Sequence, residues 1–529
     1  MENMKGYRIL YLITLLGAVT YNALQLVVPH FTQRILDEFL GENGRENLEN
    51  NRDLLYKLII AMVLLTFLRT TIVYLTCMGT EVVSQRVLFR IRNHLFRKIE
   101  TQDMNFYGTY RTGDLMTRVT GDLDAIRHMI AWVLRTIVES LALMTAVAIY
   151  FFIMDWRLTL CLFGIAPFIL LIIIKFKNTV GPRHRLLREK MAQMNTAAQE
   201  NISGNRVVKA FAREDYEIEK FDQCNQDYSQ TNRKTAMTWL TFFPYVETFA
   251  NLMPIVAFSG LIWAIANPMR TLGNIMNEFQ RFAAAADKVM EIYYSEPTIV
   301  DRPDAIDHPE RLQGKVEFKD VSFQYTDGKF PVLHDVSFTI EPGQTVAIMG
   351  ETGCGKTTLI QLIPRFFEPT QGHVYVDGVD VRKYKLHQLR KNIGLATQDV
   401  LLYSDTIDSN IAYGDPNIKQ SDVEKFARYS AAADFIAKMP EKYETIVGER
   451  GVGLSGGQKQ RISLARALAV RPAILILDDT TSAVDMETEK QIQHSLKNLD
   501  FPCTKIIIAQ RISTTKSADK ILVIQNGSI

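Results

Sequence analysis

Before about residue 270 the chain carries apolar runs that an ordinary soluble domain has no interior large enough to hide. Tyr7 to Val28, Leu54 to Thr76, Ala131 to Ile153 and Leu158 to Phe176 are each about 19 to 23 mostly apolar residues, enough to cross roughly 30 Å of hydrocarbon as helix. Such runs restrict this half to a bundle of membrane helices, because only a helix or a closed barrel satisfies its own backbone in lipid. The first run lacks a small-residue cleavage site, and Asn22 and Gln25 interrupt it, so it reads as a retained span and not a secretory signal.

Charge orients the bundle. Arg86, Arg90, Arg92, Arg97, Lys98, Arg111, Arg118 and Arg127 fill the segment between the second and third runs and place it on the cytoplasmic side. Asp155-Trp156-Arg157 then forms an outer turn, and Lys175 to Lys234, again basic and helix-patterned, returns inside. Both inner segments are polar-faced and long, so the helices are expected to continue well past the bilayer. Met237 to Ala266 is too long for one span and too short for two, with Pro244, Glu247, Asn251 and Pro254 along it. Five spans would strand the second half of the chain outside, so a hairpin's worth of residues is expected to be missing near Ile255. Inside the spans, Arg69, Arg135, Glu139, Glu247 and Asn251 either line a substrate path, pair with one another across helices or snorkel.

The remaining composition excludes several classes. With 60 Lys+Arg against 58 Asp+Glu the net charge is +2, and nothing calls for nucleic acid as a counterion. Cys77, Cys161, Cys224, Cys354 and Cys503 have no metal-like spacing and read as reduced structural thiols.

After Pro297 and Pro303 the pattern turns to β-type alternation, as in KVEFKDVSFQY. The expected division is a transmembrane domain at 1–300, a polar linker at 301–314 and a soluble α/β domain at 315–529. In the latter, a strand Thr345 to Met349 runs into GETGCGKTT: Gly350, Glu351, Thr352, Gly353, Cys354, Gly355, Lys356, Thr357 and Thr358. This is a phosphate loop. Its glycines let backbone N–H groups turn inward around phosphate oxygens, the following helix adds positive potential, and Lys356 adds a full charge. Thr357 places a hydroxyl where Mg²⁺ bridging the phosphates would sit. The apolar strand AILILD delivers Asp478 to the same sheet edge, where its carboxylate can hold the magnesium water shell. Before another helical run, Leu454, Ser455, Gly456, Gly457 and Gln458 form a second anion-type helix start.

GETGCGKTT, LSGGQ, LILDD and SAVD occur in that order, and with them the chain resembles an ATP-binding cassette (ABC) exporter half-transporter over essentially its full length. The fold class implied is a six-helix transmembrane domain followed by a P-loop nucleotide-binding domain. The resemblance implies ATP and Mg²⁺ as cofactors, a lipid bilayer around the spans, and two nucleotide-binding domains face to face. Each ATP would lie between one phosphate loop and the other chain's LSGGQ. It further implies that Tyr325 stacks on adenine, that Gln398 touches magnesium and reports to the membrane helices, and that Glu449 and Arg450 make a cross-domain contact. GTYRTGDLMTRV and NISGNRVVKAF resemble the intracellular coupling segments. Both chain ends look trimmed relative to such proteins.

Two positions depart from the family pattern. Asp479 stands where active sites have glutamate, and Gln510 where they have a switch histidine. One methylene less draws a carboxylate back by roughly an ångström, and a misplacement of that size costs on the order of 100-fold. A neutral amide takes up no proton near neutral pH. The expected protein is therefore a bacterial cell-membrane exporter of amphiphilic compounds with a cytoplasmic nucleotide-binding domain. It works as a heterodimer: its own site is hydrolysis-impaired, and its LSGGQ completes the partner's active site. An ATP-gated channel or regulatory subunit, or a lipid or peptide exporter, is the alternative.

Overall fold

The computed structural model describes residues 4–39, 52–154, 156–256, 263–307, 311–326, 328–448, 451, 453–509, 511 and 515–529. Two compact units emerge, one from residues 1–98 and 116–294, the other from 99–115 and 295–529.

The first unit is helical. Among the described residues, three stretches are long and apolar enough to cross a membrane: Arg8–Phe39, Arg52–Glu100 and Thr112–Ile149. The fourth run of the sequence reading lies inside the helix Trp156–Ser203. Helices of 49, 48 and 43 residues, Arg52–Glu100, Trp156–Ser203 and Glu214–Val256, reach well beyond a bilayer, as expected. At 1.5 Å per residue each is about 65–75 Å long.

The last two of these form an antiparallel hairpin. Its register is visible in four rungs: Asn201 to Glu217 at 3.1 Å, Lys190 to Asp227 at 2.6 Å, Arg183 to the Lys234 carbonyl at 3.3 Å, and the Phe176 and Phe242 rings 5.7 Å apart. Each step along one helix is matched, to within one residue, by a step back along the other. Rungs change from charged to aromatic toward the apolar end, which is what a helix pair passing from water into lipid requires.

Lipid tails are as apolar as leucine, so close backbone approach and dispersion must hold membrane helices together. The first two helices meet at small residues. A Cβ on Gly17 would lie 2.6 Å from Thr76 Oγ1, and one on Gly79 would lie 2.3 Å from Thr14 Cγ2. Ala18, Thr76 and Thr80 are buried beside them. A single π-helical turn, Met129–Val133, interrupts the third span, and the hydroxyl of Tyr11 donates to the Ile130 carbonyl in that turn at 2.7 Å. Met129 and Val133 pack with Ile275.

The intramembrane polar residues find one another. Arg69 donates to Gln25 at 2.9 Å, and Arg135 lies 3.1 Å from Glu139 and contacts the Cys77 sulfur. Asn22 donates to the Ala18 carbonyl of its own helix. Glu247 and Asn251 have side chains outside the described residues. The expected break near Ile255 borders residues 257–262, which also lie outside them: one helix ends at Val256 and the next, Trp263–Tyr293, begins beyond.

The second unit joins two sheets. β1 (Val316–Phe323), β2 (Leu333–Ile340), β4 (Gln371–Val376) and β5 (Val379–Asp380) form an antiparallel sheet in the order β2-β1-β4-β5. β3 (Thr345–Gly350), β6 (Ile393–Ala396), β7 (Ile474–Asp478), β8 (Thr504–Ile508) and β9 (Lys520–Ile524) form a parallel sheet in the order β6-β7-β8-β3-β9. Every residue of β7 is buried, as befits a strand covered on both faces. The polar segment ahead of the sheets is tied down: Asp301 accepts from the Leu386 N–H, Ile306 bridges to Tyr384, and Leu312 is buried. Among the described side chains, Cys77, Cys224, Cys354 and Cys503 are free thiols; the Cys161 side chain lies outside them.

The glycine crossing makes a prediction. Gly79→Val should cost at least about 1–3 kcal/mol by overpacking against Thr14, lowering the yield of folded protein in membranes, whereas Gly113→Val, whose Cβ meets nothing within 4 Å, should not. Detergent-extracted yield and thermal stability of the two variants check this.

Candidate active site

Strand register assembles the site. Both β3 and β7 pair with β8, and one residue of β8, Ile508, is the partner of Ile348 on one side and of Asp478 on the other. Parallel strands end together, so the phosphate loop after β3 and the two carboxylates at the end of β7, Asp478 and Asp479, emerge at one edge of the sheet. That carboxyl-terminal edge is where ligands of open α/β sheets bind.

The loop between β3 and the helix Lys356–Leu362 has the backbone a phosphate cradle needs. Gly355, at φ 104°, caps the helix, and a Cβ there would sit 2.9 Å from Leu333 Cδ2. Gly350, at φ 152°, leaves only 2.3 Å between such a Cβ and the Ile524 carbonyl oxygen. Side chains at either position would push the loop open. The Lys356 ammonium folds back over the loop and donates to the carbonyls of Gly350 at 2.8 Å and Glu351 at 2.7 Å. A polyphosphate offers that ammonium stronger acceptors than two neutral carbonyls.

Thr357 donates from Oγ1 to Asp478 Oδ2 at 3.0 Å, bringing together the hydroxyl and carboxylate that the sequence singled out from positions 121 residues apart. Two oxygen donors converging at the mouth of a phosphate loop suit a hard cation such as Mg²⁺, which takes few protein ligands and keeps water. The residues thus fit Mg²⁺–ATP. Burial pushes the Asp478 carboxyl above its ordinary range, and the neighbouring Asp479 charge adds to this, while the Thr357 hydrogen bond and Lys356 oppose it. Asp479 is likewise raised by burial, against Ser482, Arg511 and Lys356.

Asp479 has φ 49°, a left-handed conformation that aspartate tolerates better than most residues. Its N–H donates to the Ile508 carbonyl, and its own carbonyl accepts from Ser482 Oγ at 3.0 Å. The chain therefore turns sharply at this residue, and the short side chain stays buried.

Tyr325 lies half-buried with its ring edge-on to Phe323 and Phe367, and its hydroxyl is 2.9 Å from Thr358 Oγ1. Gln398 is exposed just past β6, the neighbour of β7. Ser455 caps the helix Gly456–Ala469 in a reciprocal box with Gln458. Gly457 packs so closely on the turn after β7 that a Cβ would meet the Ala483 carbonyl at 2.7 Å. Among the described residues, the side-chain hydrogen bonds of Ser455 and Gln458 stay within this cap. Glu449, Arg450 and Gln510 lie outside the described residues.

Two contributors were missed in the sequence. Gln460 donates to the Asp479 carbonyl and to Ser482, and accepts from the Ala483 N–H, locking the signature helix to the turn after Asp479. Arg511 donates to Glu489 at 2.9 Å and to the Ser482 carbonyl at 3.0 Å. A glutamine on the buried face of an otherwise apolar helix stripe was the available signal for the first; nothing local marked the second.

The carboxylate pair sets a pH dependence. Both groups are raised in the folded, nucleotide-free chain, so their contribution to stability is full in acid and is lost as pH rises through the raised range. Asp479→Asn should raise the nucleotide-free melting temperature at neutral pH by on the order of a degree or two, with the gap closing in acid; thermal unfolding of the purified protein across pH reads this directly.

The comparisons with known proteins follow the same division. The family described as "ABC transporter transmembrane region" matches residues 11–282, and that described as "ABC transporter" matches residues 333–482. "Uncharacterized ABC transporter ATP-binding protein YknU" of Bacillus subtilis (strain 168) is 35% identical over 550 positions, covering 99% of this chain and 92% of its own. That span exceeds the 529 residues of this chain, so the relative carries residues with no counterpart here. "Putative multidrug export ATP-binding/permease protein YgaD" of the same organism is 34% identical, covering 100% and 94%. "ATP-dependent lipid A-core flippase" of Syntrophus aciditrophicus (strain SB) is 33% identical, covering 97% and 86%. The solved structure of "a bacterial Atm1-family ABC exporter with ATP bound" superposes with a TM-score of 0.80 at 25% identity, covering 99% of this chain and 95% of that one. The chain belongs to the ABC exporter family: it is a half-transporter, an ATP-driven transport ATPase of the membrane with its nucleotide-binding domain in the cytoplasm.

Proposed function

We propose that the chain is one half of a heterodimeric exporter of amphiphilic compounds, and that its own phosphate loop forms the slower of two ATP sites. The observation that carries this reading is Asp479. It occupies the position after the strand's aspartate with a side chain one methylene short, buried and on a left-handed backbone. The Gln510 substitution supports the same reading from sequence. LSGGQ is intact and, among the described residues, the side-chain hydrogen bonds of Ser455 and Gln458 are spent within their own helix cap, which suits a signature that serves another subunit's nucleotide. The domain limits 1–300, 301–314 and 315–529 belong to the same proposal.

On this reading ATP supplies the phosphoryl bond and Mg²⁺ the charge that offsets its oxygens. Lys356 and the N–H groups of Gly353, Cys354 and Gly355 hold the phosphates, with Glu351, Thr352 and Thr358 shaping the loop. Thr357 and Asp478 orient the cation, joined by Gln398, and Tyr325 offers its ring to adenine. Asp479 holds a water less well than glutamate would. Leu454, Ser455, Gly456, Gly457 and Gln458 complete the partner's site, where fast hydrolysis takes place. Lipid as cargo is a second reading, favoured by the relative named as a lipid A-core flippase.

The test compares single changes in the pair. Asp479→Ala should leave most ATP turnover, while removal of the partner's glutamate should lower it on the order of 100-fold or more. Asp479→Glu combined with Gln510→His should raise turnover at this chain's site. Equal loss from both single changes, or an active homodimer of this chain alone, would refute the asymmetric pairing without touching membership of the exporter family.

A further inference from the structure

One carboxylate joins parts of the chain nearly two hundred residues apart. Asp103 Oδ1 accepts the N–H groups of Asn105 at 3.0 Å and Phe106 at 3.2 Å, capping the short helix Met104–Thr109 in the first cytoplasmic segment. Its other oxygen, Oδ2, accepts from the Thr298 N–H at 2.6 Å, the Thr298 hydroxyl at 2.6 Å and the Ile299 N–H at 3.1 Å, in the strand of chain that leads into the nucleotide-binding domain. Next to it Gln102 donates to the Ser295 hydroxyl at 2.9 Å. Five donors on one carboxylate saturate it.

The contact continues into the ATPase. Val300, two residues beyond Thr298, accepts from the guanidinium of Arg365 at 3.1 Å. Arg365 is 1% exposed and lies three residues past the end of the phosphate-loop helix Lys356–Leu362; its carbonyl accepts from Arg390 at 3.0 Å. Residues 99–115 accordingly cluster with 295–529 and not with the helices that precede and follow them in sequence.

We propose that Asp103 is a positioning residue for ATP-driven export, a clamp that makes the first cytoplasmic segment a rigid extension of its own chain's nucleotide-binding domain and so passes the movement of the phosphate-loop helix to the segment between the second and third spans. This reading rests on the exporter family and not on the heterodimer. Chemistry makes the clamp specific to a carboxylate. An amide can cap the helix or accept from Thr298 and Ile299, but its NH₂ then faces donors on the other side, and serine reaches only the cap.

Hydrogen exchange of the full chain, in its native pairing in lipid nanodiscs, with and without Mg²⁺–ATP, tests it. In the native protein residues 104–110 and 295–300 should change exchange together when nucleotide is added. In Asp103→Ser, which retains a capping oxygen, the nucleotide-dependent change at 104–110 should fall by about fivefold or more, while affinity for a fluorescent ATP analogue stays unchanged. Thr298→Val, which leaves Asp103 and the cap intact, should reduce the response in the same direction. A full response at 104–110 in both variants would overturn the proposal, as would a parallel loss of nucleotide affinity.

Discussion

The pairing of β8 with both β3 and β7 is the constraint on which the catalytic half depends. Because Ile508 sets the level of Ile348 on one side and Asp478 on the other, the phosphate loop and the magnesium carboxylate cannot slip independently. A shift of one residue would also turn each buried side chain of these strands to the opposite face. The full burial of β7 penalises that shift heavily, so hydrophobic packing is what holds a polar site in place. The Thr357 to Asp478 hydrogen bond is a consequence of the register, not its cause.

The membrane half is held by other means. Without a hydrophobic drive between helices in lipid, it uses close contact at Gly17 and Gly79 and polar contacts between helices, from Arg69 to Gln25 and from Arg135 to Cys77. The π-helical turn at Met129–Val133 shows how exact the backbone accounting must be. A widened turn alters which carbonyls bond within the helix, and Tyr11 supplies a donor to one of them from another helix. Outside the bilayer the hairpin Trp156–Ser203 and Glu214–Val256 changes to charged rungs that water can partly solvate. Transport needs helices that transmit displacement over their whole length, and two long helices locked rung by rung do that better than either alone.

Asp103 belongs to neither logic alone. It caps a helix that the sequence places between two spans, yet its second oxygen is spent on chain that belongs to the ATPase. Thr298 and Ile299 in turn lead to Val300, which accepts from the buried Arg365, so a polar relay reaches from the end of the phosphate-loop helix to the segment at residues 99–115.

Sequence alone determined the class of each half and the local chemistry of the motifs. Apolar run length is set by bilayer thickness, and a glycine-rich turn between strand and helix is set by backbone sterics; both are local properties, so Tyr7 to Val28 and GETGCGKTT were legible by inspection. The short carboxylate of Asp479 was legible too, although its left-handed backbone was not. Only tertiary structure decided what the far partners are. Gln460 on the turn after Asp479, Arg511 on Glu489, the pinning of the polar segment at 301–312 and the grip of Asp103 on Thr298 each join residues with no pattern in common. A hydrogen bond between distant residues leaves no periodicity behind; it exists because packing elsewhere has already brought donor and acceptor within reach.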